Sequence, residues 1–321
     1  MAIRNVLIIG GSGFIGSHIV AKLACCDCRV TVPTRRASHA QHLLALQSVE
    51  DVVEADVHDD AALDRLVHGQ DAVINLVGIL HGKAGHNGAS YGPDFERAHV
   101  ALPRRIVAAC AFHHVKRFLH MSALGADRNA PSMYLRSKAD GEAAARANPA
   151  VAATIFRPSV VFGDNDRFLN VFASLQRMLP VMMLAGADAR FQPVYVEDVA
   201  LAFVNALYDE RTVGKTYELV GPKIYTLAEL VRLAGEYSGH RRPVIGMPGP
   251  LAKAQAFIME HLPGEPLMTR DNLASMEVDN VGHGPIAEEL GVIPTALEAV
   301  APYYLRGMAP HGGLGTVHTR H

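Results

Sequence analysis

The stretch IIGGSGFIGS, residues 8–17, is the strongest indication of the fold of this chain. It joins a short apolar strand to a glycine loop of the pattern G-x-x-G-x-x-G, and then to a segment with helical apolar spacing. Such a loop allows a tight turn, brings backbone N–H groups close to a diphosphate and points a helix N-terminus at its charge. We therefore predict a dinucleotide site here. Its predicted residues are Gly10, Gly13, Phe14, Ile15 and Gly16.

Strand-length apolar runs alternate with helix-length segments through the first half of the chain. The runs lie at 5–9, 29–33, 50–56, 71–79, 116–122 and 152–158. Continuous apolar strands separated by helices are typical of a parallel sheet covered on both faces. The sequence therefore predicts an α/β, doubly wound parallel-sheet Rossmann fold with its ligand at the carboxyl ends of the strands.

In the second half of the chain, strand-length and helix-length segments alternate less regularly. This predicts a smaller, mostly helical C-terminal lobe. We expect a dinucleotide-binding domain over residues 1–165, with 190–222 returning to it. The smaller substrate or partner lobe is expected to consist of 166–189 and 223–308. The Gly- and His-rich tail, 309–321, is expected to be disordered.

The end of the second predicted strand, VPTRR (32–36), indicates the type of dinucleotide. Sites selective for NAD usually carry an acid here that binds the ribose 2′-hydroxyl. This chain has no acid there and continues with Arg35 and Arg36. A guanidinium fork suits a 2′-phosphate, so we predict NADP(H) as the preferred cofactor and NAD(H) as the alternative. One of the two arginines can equally be a solvated surface residue.

Residues that follow the later strands are also predicted to contact the cofactor. Asp56 and Val57 are expected beside the adenine, because they follow the third strand. The residues expected near the nicotinamide ribose or the neighbouring strand ends are Leu76, Val77, Gly78 and Pro158.

The segment YLRSK places Tyr134 and Lys138 four residues apart on a predicted helix, 134–147. This pair is the reactive pair of many nicotinamide-dependent enzymes, but the same spacing occurs by chance on many helices. The residues alone leave two interpretations open: an active site, or a clamp that holds a cofactor.

Taken together, these motifs resemble the extended short-chain dehydrogenase/reductase superfamily, over roughly residues 3–222. The resemblance rests on GGSGFIG, Asp56, NLVG (75–78), the Tyr134/Lys138 pair, RPSVVFG (157–163) and VYVEDVA (194–200). It implies that the tyrosine donates or accepts a proton. It also implies that the lysine binds the nicotinamide ribose and lowers the pKa of the tyrosine.

The resemblance further implies a Ser or Thr near the end of the fifth strand that orients the substrate. In FLHMSALGA (118–126), Ser122 lies one place early and Ala123 takes that position. An alanine side chain cannot donate a hydrogen bond, and successive strand residues point to opposite faces. Ser122 is the third candidate catalytic residue, beside Tyr134 and Lys138.

A narrower resemblance is to the nucleotide-binding accessory subunit of respiratory complex I and its bacterial relatives. It rests on VPTRR, NLVGIL, YLRSKADGE, RPSVVFGDNDRFLN and MTRDNLASMEVDNV (268–281). It implies tightly held NADPH, a structural or assembly role, and a membrane-bound respiratory complex or quinone-linked enzyme as partner. The alternative is an active NADP(H)-dependent reductase, epimerase or dehydratase that uses Tyr134 and Lys138. From the residues alone, 268–281 can equally be an ordinary surface helix.

Composition excludes several other classes of protein. Lys and Arg number 30 and Asp and Glu 32, and the basic pairs are scattered, so we expect no nucleic-acid partner. Three of the four cysteines crowd residues 25–28 without further ligands nearby, so we expect a reducing compartment and no metal site.

We expect a cytoplasmic protein that can attach peripherally to the cytoplasmic face of the inner membrane. We expect no signal peptide, and no apolar run approaches the ~20 residues that span a bilayer. The apolar loop MLPVMMLAG (178–186) indicates a partner or membrane contact, or equally a loop folded into the smaller lobe.

Overall fold

The computed structural model describes residues 3–46, 48–83, 85, 88–261, 266 and 268–306. The strands in this part of the chain are β1 (Asn5–Ile9), β2 (Arg29–Thr34), β3 (Val49–Glu54), β4 (Ala72–Asn75), β5 (Arg117–Met121), β6 (Ala152–Pro158), β7 (Val161–Phe162), β8 (Met182–Leu184), β9 (Arg190–Phe191), β10 (Val194–Tyr195), β11 (Thr216–Leu219), β12 (Tyr225–Thr226) and β13 (Val244–Gly246). The predicted tail, 309–321, lies outside the described residues.

Helices alternate with these strands. They are α1 (Phe14–Leu23), α2 (Asp60–Val67), α3 (Pro93–Phe95), α4 (Leu102–Phe112), α5 (Met133–Ala145), α6 (Leu169–Met178), α7 (Val196–Tyr208), α8 (Leu227–Tyr237), α9 (Gly249–Glu260), α10 (Arg270–Ser275) and α11 (Leu297–Leu305). A π-helical segment, Glu96–Ala101, joins α3 to α4.

Seven strands form one parallel sheet in the order β11-β6-β5-β4-β1-β2-β3. From β1 the chain builds outward through β2 and β3, and it then returns to β4 on the other side of β1. The order of the strands therefore reverses between β1 and β4, which is where doubly wound folds bind their ligands. The predicted fold class is confirmed.

Both faces of the sheet are covered, as the apolar strands require. Along β1, Val6 and Ile8 pack into a core with α1 and α7, whereas Leu7 and Ile9 pack into a second core with α2, α4 and α5. This alternation follows from the two-residue period of a strand. The two cores fix the sheet between two helical layers and hold the strand ends rigidly at one edge.

The second half of the chain adds a smaller, mostly helical part. Helices α6, α8 and α11 share a third apolar core, and the β8–β13 pair packs beside α8. The division into domains at residues 165, 189 and 222 stays a prediction. No helix within the described ranges combines the length and the apolar character needed to cross a membrane.

One predicted strand is longer than the observed one. The apolar run 71–79 predicts a strand to its end, but β4 stops at Asn75. The backbone then leaves the sheet, with the Leu76 N–H still donating to the Ile9 carbonyl at 2.9 Å. The residues after Asn75 thus become the lining of the cleft at the point where the strand order reverses.

Candidate functional site

The glycine loop connects β1 to α1 in the way that a diphosphate site requires. Gly10 has a φ of +87°, in the left-handed region that favours glycine. A Cβ atom on Gly16 would overlap the Gly10 carbonyl oxygen and lie 2.6 Å from the Gly11 Cα. Only glycine at position 16 therefore lets α1 begin this close to the loop. A Cβ atom on Gly13 would meet a single neighbour, the Gly10 oxygen, at 3.3 Å.

The N-terminus of α1 is free to attract an anion. Gly13 is its N-cap and provides no side chain, and the first turn contains no acidic residue. The first N–H groups of a helix have no partner within the helix, and they carry the positive end of its dipole. The predicted residues Phe14 and Ile15 begin the helix. Phe14 lies beside Gly163, and Ile15 packs against the apolar core. The backbone N–H groups of the two residues are left for a ligand.

Cationic side chains gather where the adenosine end of a dinucleotide is predicted. Arg35 and Arg36 follow β2 and are exposed. Asp56 accepts the His58 N–H at 2.9 Å and lies 3.6 Å from the Arg97 guanidinium. The pKa of His58 is lowered, first by burial and then by nearby cations that include Arg97 and Arg35.

Arg97 is a residue that the sequence reasoning missed. It belongs to the π-helical segment before α4, about 60 residues from Arg35 in the chain, so no local pattern joins the two. Val57, the neighbour of Asp56, packs its side chain against the apolar core under the sheet. Arg35, Arg36 and Asp56 are therefore exposed at the strand ends, whereas Val57 is packed inward.

The residues after β4 contact both the glycine loop and α5. A Cβ atom on Gly10 would lie 3.3 Å from the Leu76 Cβ, and one on Gly78 would lie 3.1 Å from the Lys138 ammonium. The Val77 N–H donates to the Asn75 side chain at 3.2 Å, which fixes this turn. The structure thus brings Gly10, Leu76, Gly78 and Lys138 into one continuous surface.

Tyr134 and Lys138 lie on α5, which begins after Ser132. The Lys138 side chain is only 4% exposed, its ammonium donates to the Met121 carbonyl at 3.2 Å, and it lies 5.9 Å from the centroid of the Tyr134 ring. Burial lowers the pKa of Lys138 to about 8 and raises the pKa of Tyr134 to about 12. The resemblance implies a lowered pKa for Tyr134, whereas burial raises it.

The buried His99 fixes the position of α5. Its Nε2 accepts the Ile79 N–H at 3.0 Å, so Nδ1 carries the proton of the neutral ring and donates to Ser137 Oγ at 2.8 Å. Ser137 in turn donates to the Tyr134 carbonyl at 2.7 Å. Burial holds the pKa of His99 well below its usual value, which keeps this tautomer neutral. His99 is a second residue that the sequence pattern did not indicate.

The Ser122 hydroxyl is bonded to the buried carboxylate of an ion pair. Its Oγ–H donates to Glu142 Oε1 at 2.5 Å, and the same carboxylate accepts two bonds from Arg157 at 2.7 and 2.8 Å. Ala123 instead packs with Ala130, Leu135 and the Tyr134 ring. Within the described chain, no side chain forms a hydrogen bond with the Tyr134 hydroxyl.

Pro158 ends β6 beside the loop that follows β5. Its carbonyl accepts the Leu124 N–H at 3.0 Å, which ties the two strand ends together.

Asp271, from the predicted segment 268–281, is a third residue whose role the sequence reasoning missed. Its carboxylate binds the N-terminus of α5. Among the described residues the four cysteines are free, and no group of His, Cys, Asp and Glu could hold a metal ion.

A doubly wound sheet with a glycine loop at the reversal of strand order, and a Tyr–Lys helix facing it, defines a nicotinamide-dinucleotide-binding protein of the Rossmann type. A model of the NAD dependent epimerase/dehydratase family matches residues 6–220, and the chain belongs to that family.

Known proteins place the chain more narrowly. It is 34% identical over 312 residues to the mouse mitochondrial NADH dehydrogenase [ubiquinone] 1 alpha subcomplex subunit 9, covering 93% of this chain and 79% of the mouse protein. It is 30% identical over 247 residues to the ceramide reductase of Caulobacter vibrioides, covering 76% of this chain and 74% of that protein. The resemblance to the complex I accessory subunit is thereby confirmed.

A solved structure shares the fold. An NADPH-dependent quinone oxidoreductase from Escherichia coli, complexed with NADPH, superposes with a TM-score of 0.71 at 21% identity, covering 93% of this chain and 99% of that one. This neighbour shows the fold, and the family, by its name NAD dependent, supports a nicotinamide dinucleotide as the ligand of the glycine loop.

Proposed function

We propose that the chain is an NADP(H)-binding protein whose tightly held nucleotide stabilises or helps assemble a respiratory NADH:quinone oxidoreductase, or a related quinone-linked enzyme. One observation carries this proposal. The position beside Tyr134 that would orient a substrate holds Ala123, and the neighbouring Ser122 hydroxyl is committed to Glu142. Without a donor there, the Tyr–Lys helix can hold a ribose but has lost a group needed for chemistry.

The arginines support NADP(H) over NAD(H). Arg35 and Arg36 are exposed after β2, and Arg97 adds a third guanidinium near the same strand ends. Arg35 and Arg97 both act on His58, and two cations at one place favour a 2′-phosphate, which a guanidinium can bind through two N–H groups. NAD(H), without that phosphate, gains nothing from them.

Two features support a respiratory partner at the membrane. The mouse relative carries the name of a complex I subunit, and the similarity spans most of both chains. The predicted contact loop is only half folded inward: Met182 and Leu184 are buried, whereas Met178 is 73% and Met183 50% exposed. We propose a peripheral location on the cytoplasmic face of the inner membrane, with these exposed methionines at the contact.

A second candidate function is that of a working NADP(H)-dependent reductase. The Tyr134–Lys138 pair is intact, and one relative of 30% identity is named a ceramide reductase. In this alternative Tyr134 would pass the proton, with Lys138 holding the ribose, and bound nucleotide would supply the hydride. The apolar Ala123 beside the tyrosine would then border the substrate.

Tyr134→Phe separates the two functions, with Tyr303→Phe, an exposed tyrosine on α11, as the matched control. Both variants should retain NADPH as the wild type does, and none of the three proteins should oxidise NADPH faster when a quinone, a ceramide precursor ketone or a nucleotide sugar is added. Substrate-dependent oxidation that Tyr134→Phe abolishes and Tyr303→Phe preserves would overturn the structural role.

A further inference from the structure

Residues Thr269–Asn280, here called the strap, connect parts of the molecule that are distant in the chain. The strap begins with a capping box in which Thr269 and Asn272 bond each other's backbone, continues through α10 and ends at Asn280. The sequence motif that it contains was the part of the resemblance without a physical explanation. Its contacts supply one.

The strap binds the first turn of α5. The Asp271 carboxylate accepts the N–H of Met133 at 2.6 Å and the N–H of Tyr134 at 3.0 Å, from 138 and 137 residues away. These N–H groups have no partner within the helix, and a carboxylate at this end is also favoured by the helix dipole. Asp271 therefore caps the helix that carries Tyr134 and Lys138.

The other end of the strap binds the loop after β6. The Asn280 side-chain oxygen accepts the Ser159 Oγ–H at 2.6 Å and the Val160 N–H at 3.0 Å. The Asn280 backbone pairs with β9 and the residue after it: its N–H donates to the Arg190 carbonyl at 2.8 Å, and its carbonyl accepts the Gln192 N–H at 2.9 Å. The strap is thus anchored on both sides of the cleft.

Between its anchors the strap lies over the carboxyl end of β5. The Val278 Cγ1 lies 3.7 Å from the position of a Cβ atom on Gly125, which has φ +80° and follows Ala123 by two residues. This is the part of the site where the resemblance places the group that orients a substrate. The chain's own valine, 36% exposed, therefore borders that space.

We propose that the strap closes the substrate side of the dinucleotide site and must detach from α5 before the nucleotide can exchange. Asp271 is then a positioning residue, because it fixes the turn of α5 that carries Tyr134 and, one turn later, Lys138 against Gly78. This inference rests on the proposed function, since it states how a nucleotide would be retained. An open cleft for a substrate would leave the Met133 and Tyr134 N–H groups without the Asp271 carboxylate, and only Ser132, which accepts the Leu135 N–H at 3.2 Å, would still cap α5.

The test compares Asp271→Ala with Asp279→Asn, a control that removes another carboxylate from the same strap. Asp279 bonds the half-exposed Arg190 of β9 at 3.2 Å, whereas Asp271 bonds α5. After loading with NADPH and adding excess NADP⁺, the decay of NADPH fluorescence gives the release rate. We expect release about tenfold faster from Asp271→Ala, within the range for loss of a helix cap, and an unchanged rate from Asp279→Asn. Equal rates from the two variants would overturn the proposal.

Hydrogen exchange on the wild-type protein provides a second measurement, which needs no variant to fold. Bound ligand stabilises the state that binds it. Saturating NADPH should therefore slow the exchange of the Met133, Tyr134 and Val160 amides together. If NADPH leaves the exchange of these amides unchanged, the proposed closure by the strap is refuted. If NADPH slows the hydrogen exchange of these amides but leaves the wild type rapidly, the strap still closes over the nucleotide, and the structural role of the nucleotide is refuted.

Discussion

Replacing Ser122 by alanine distinguishes the two roles open to this residue. Its Oγ–H donates to the buried Glu142 carboxylate at 2.5 Å, and Ser122 is 2% exposed. A hydrogen bond to a charged group contributes about 1.5–3 kcal/mol to stability. Glu142 keeps its two bonds to Arg157 in the variant, so the carboxylate is not left unpaired. We therefore expect the lower end, a loss of about 1.5 kcal/mol in the free energy of unfolding.

Urea unfolding measures this loss, and a titration with NADPH measures binding. We expect Ser122→Ala to lower the urea midpoint without changing the slope of the transition, and to leave NADPH affinity unchanged. Ser174→Ala is the control, because Ser174 donates to the Asn170 carbonyl on an exposed part of α6 and should change stability by less than about 0.5 kcal/mol. Unchanged stability of Ser122→Ala, together with loss of an NADPH-dependent reaction, would refute the structural assignment.

Three further predictions concern the cofactor site. Arg35→Asp should weaken NADPH by at least about tenfold more than NADH in fluorescence titrations, because a carboxylate repels a 2′-phosphate; equal weakening would contradict the assignment. Gly13→Val should abolish nucleotide binding and lower the melting temperature less than Gly16→Ala, because a Cβ atom at Gly13 meets only the Gly10 oxygen at 3.3 Å, whereas one at Gly16 overlaps the backbone of the loop. Lys138 has a pKa of about 8 in the folded protein against 10.5 for the free side chain. The nucleotide-free fold thus binds fewer protons at Lys138 than the unfolded chain between these values. Its stability should rise from about pH 8 to 9, below the ordinary pKa of 10.0 at which Tyr134 ionises in the unfolded chain. Urea midpoints of Lys138→Met should lack that rise, and a rise that persists would exclude Lys138 as its source.

Local patterns sufficed for the fold. The apolar runs and the glycine loop depend on spacing within a few residues, and the physical reasons for each act over the same distance. The reversal of strand order between β1 and β4 follows from the same alternation, once connections between parallel strands are right-handed. The end of β4 at Asn75 was missed because Leu76 and Val77 are as apolar in the cleft lining as in a strand.

The parts of the site that depend on distant contacts could not be read from the sequence. Asp271 lies in an ordinary polar helix until the fold brings it to α5, and His99 looks like a core histidine until Ile79 donates to it. The role of Ser122 depends on which face of β5 it occupies. The sequence raised that question through the one-residue offset, and the ion pair with Glu142 gives the structural answer.

A nucleotide that is held rather than turned over should remain with the protein through purification. The protein is purified without added cofactor and denatured, and the nucleotide it releases is identified and quantified by mass spectrometry. A structural cofactor predicts close to one NADPH per chain after purification. An empty site, or a mixture of oxidised and reduced nucleotides, would contradict the structural role of the nucleotide and make the reductase the leading function.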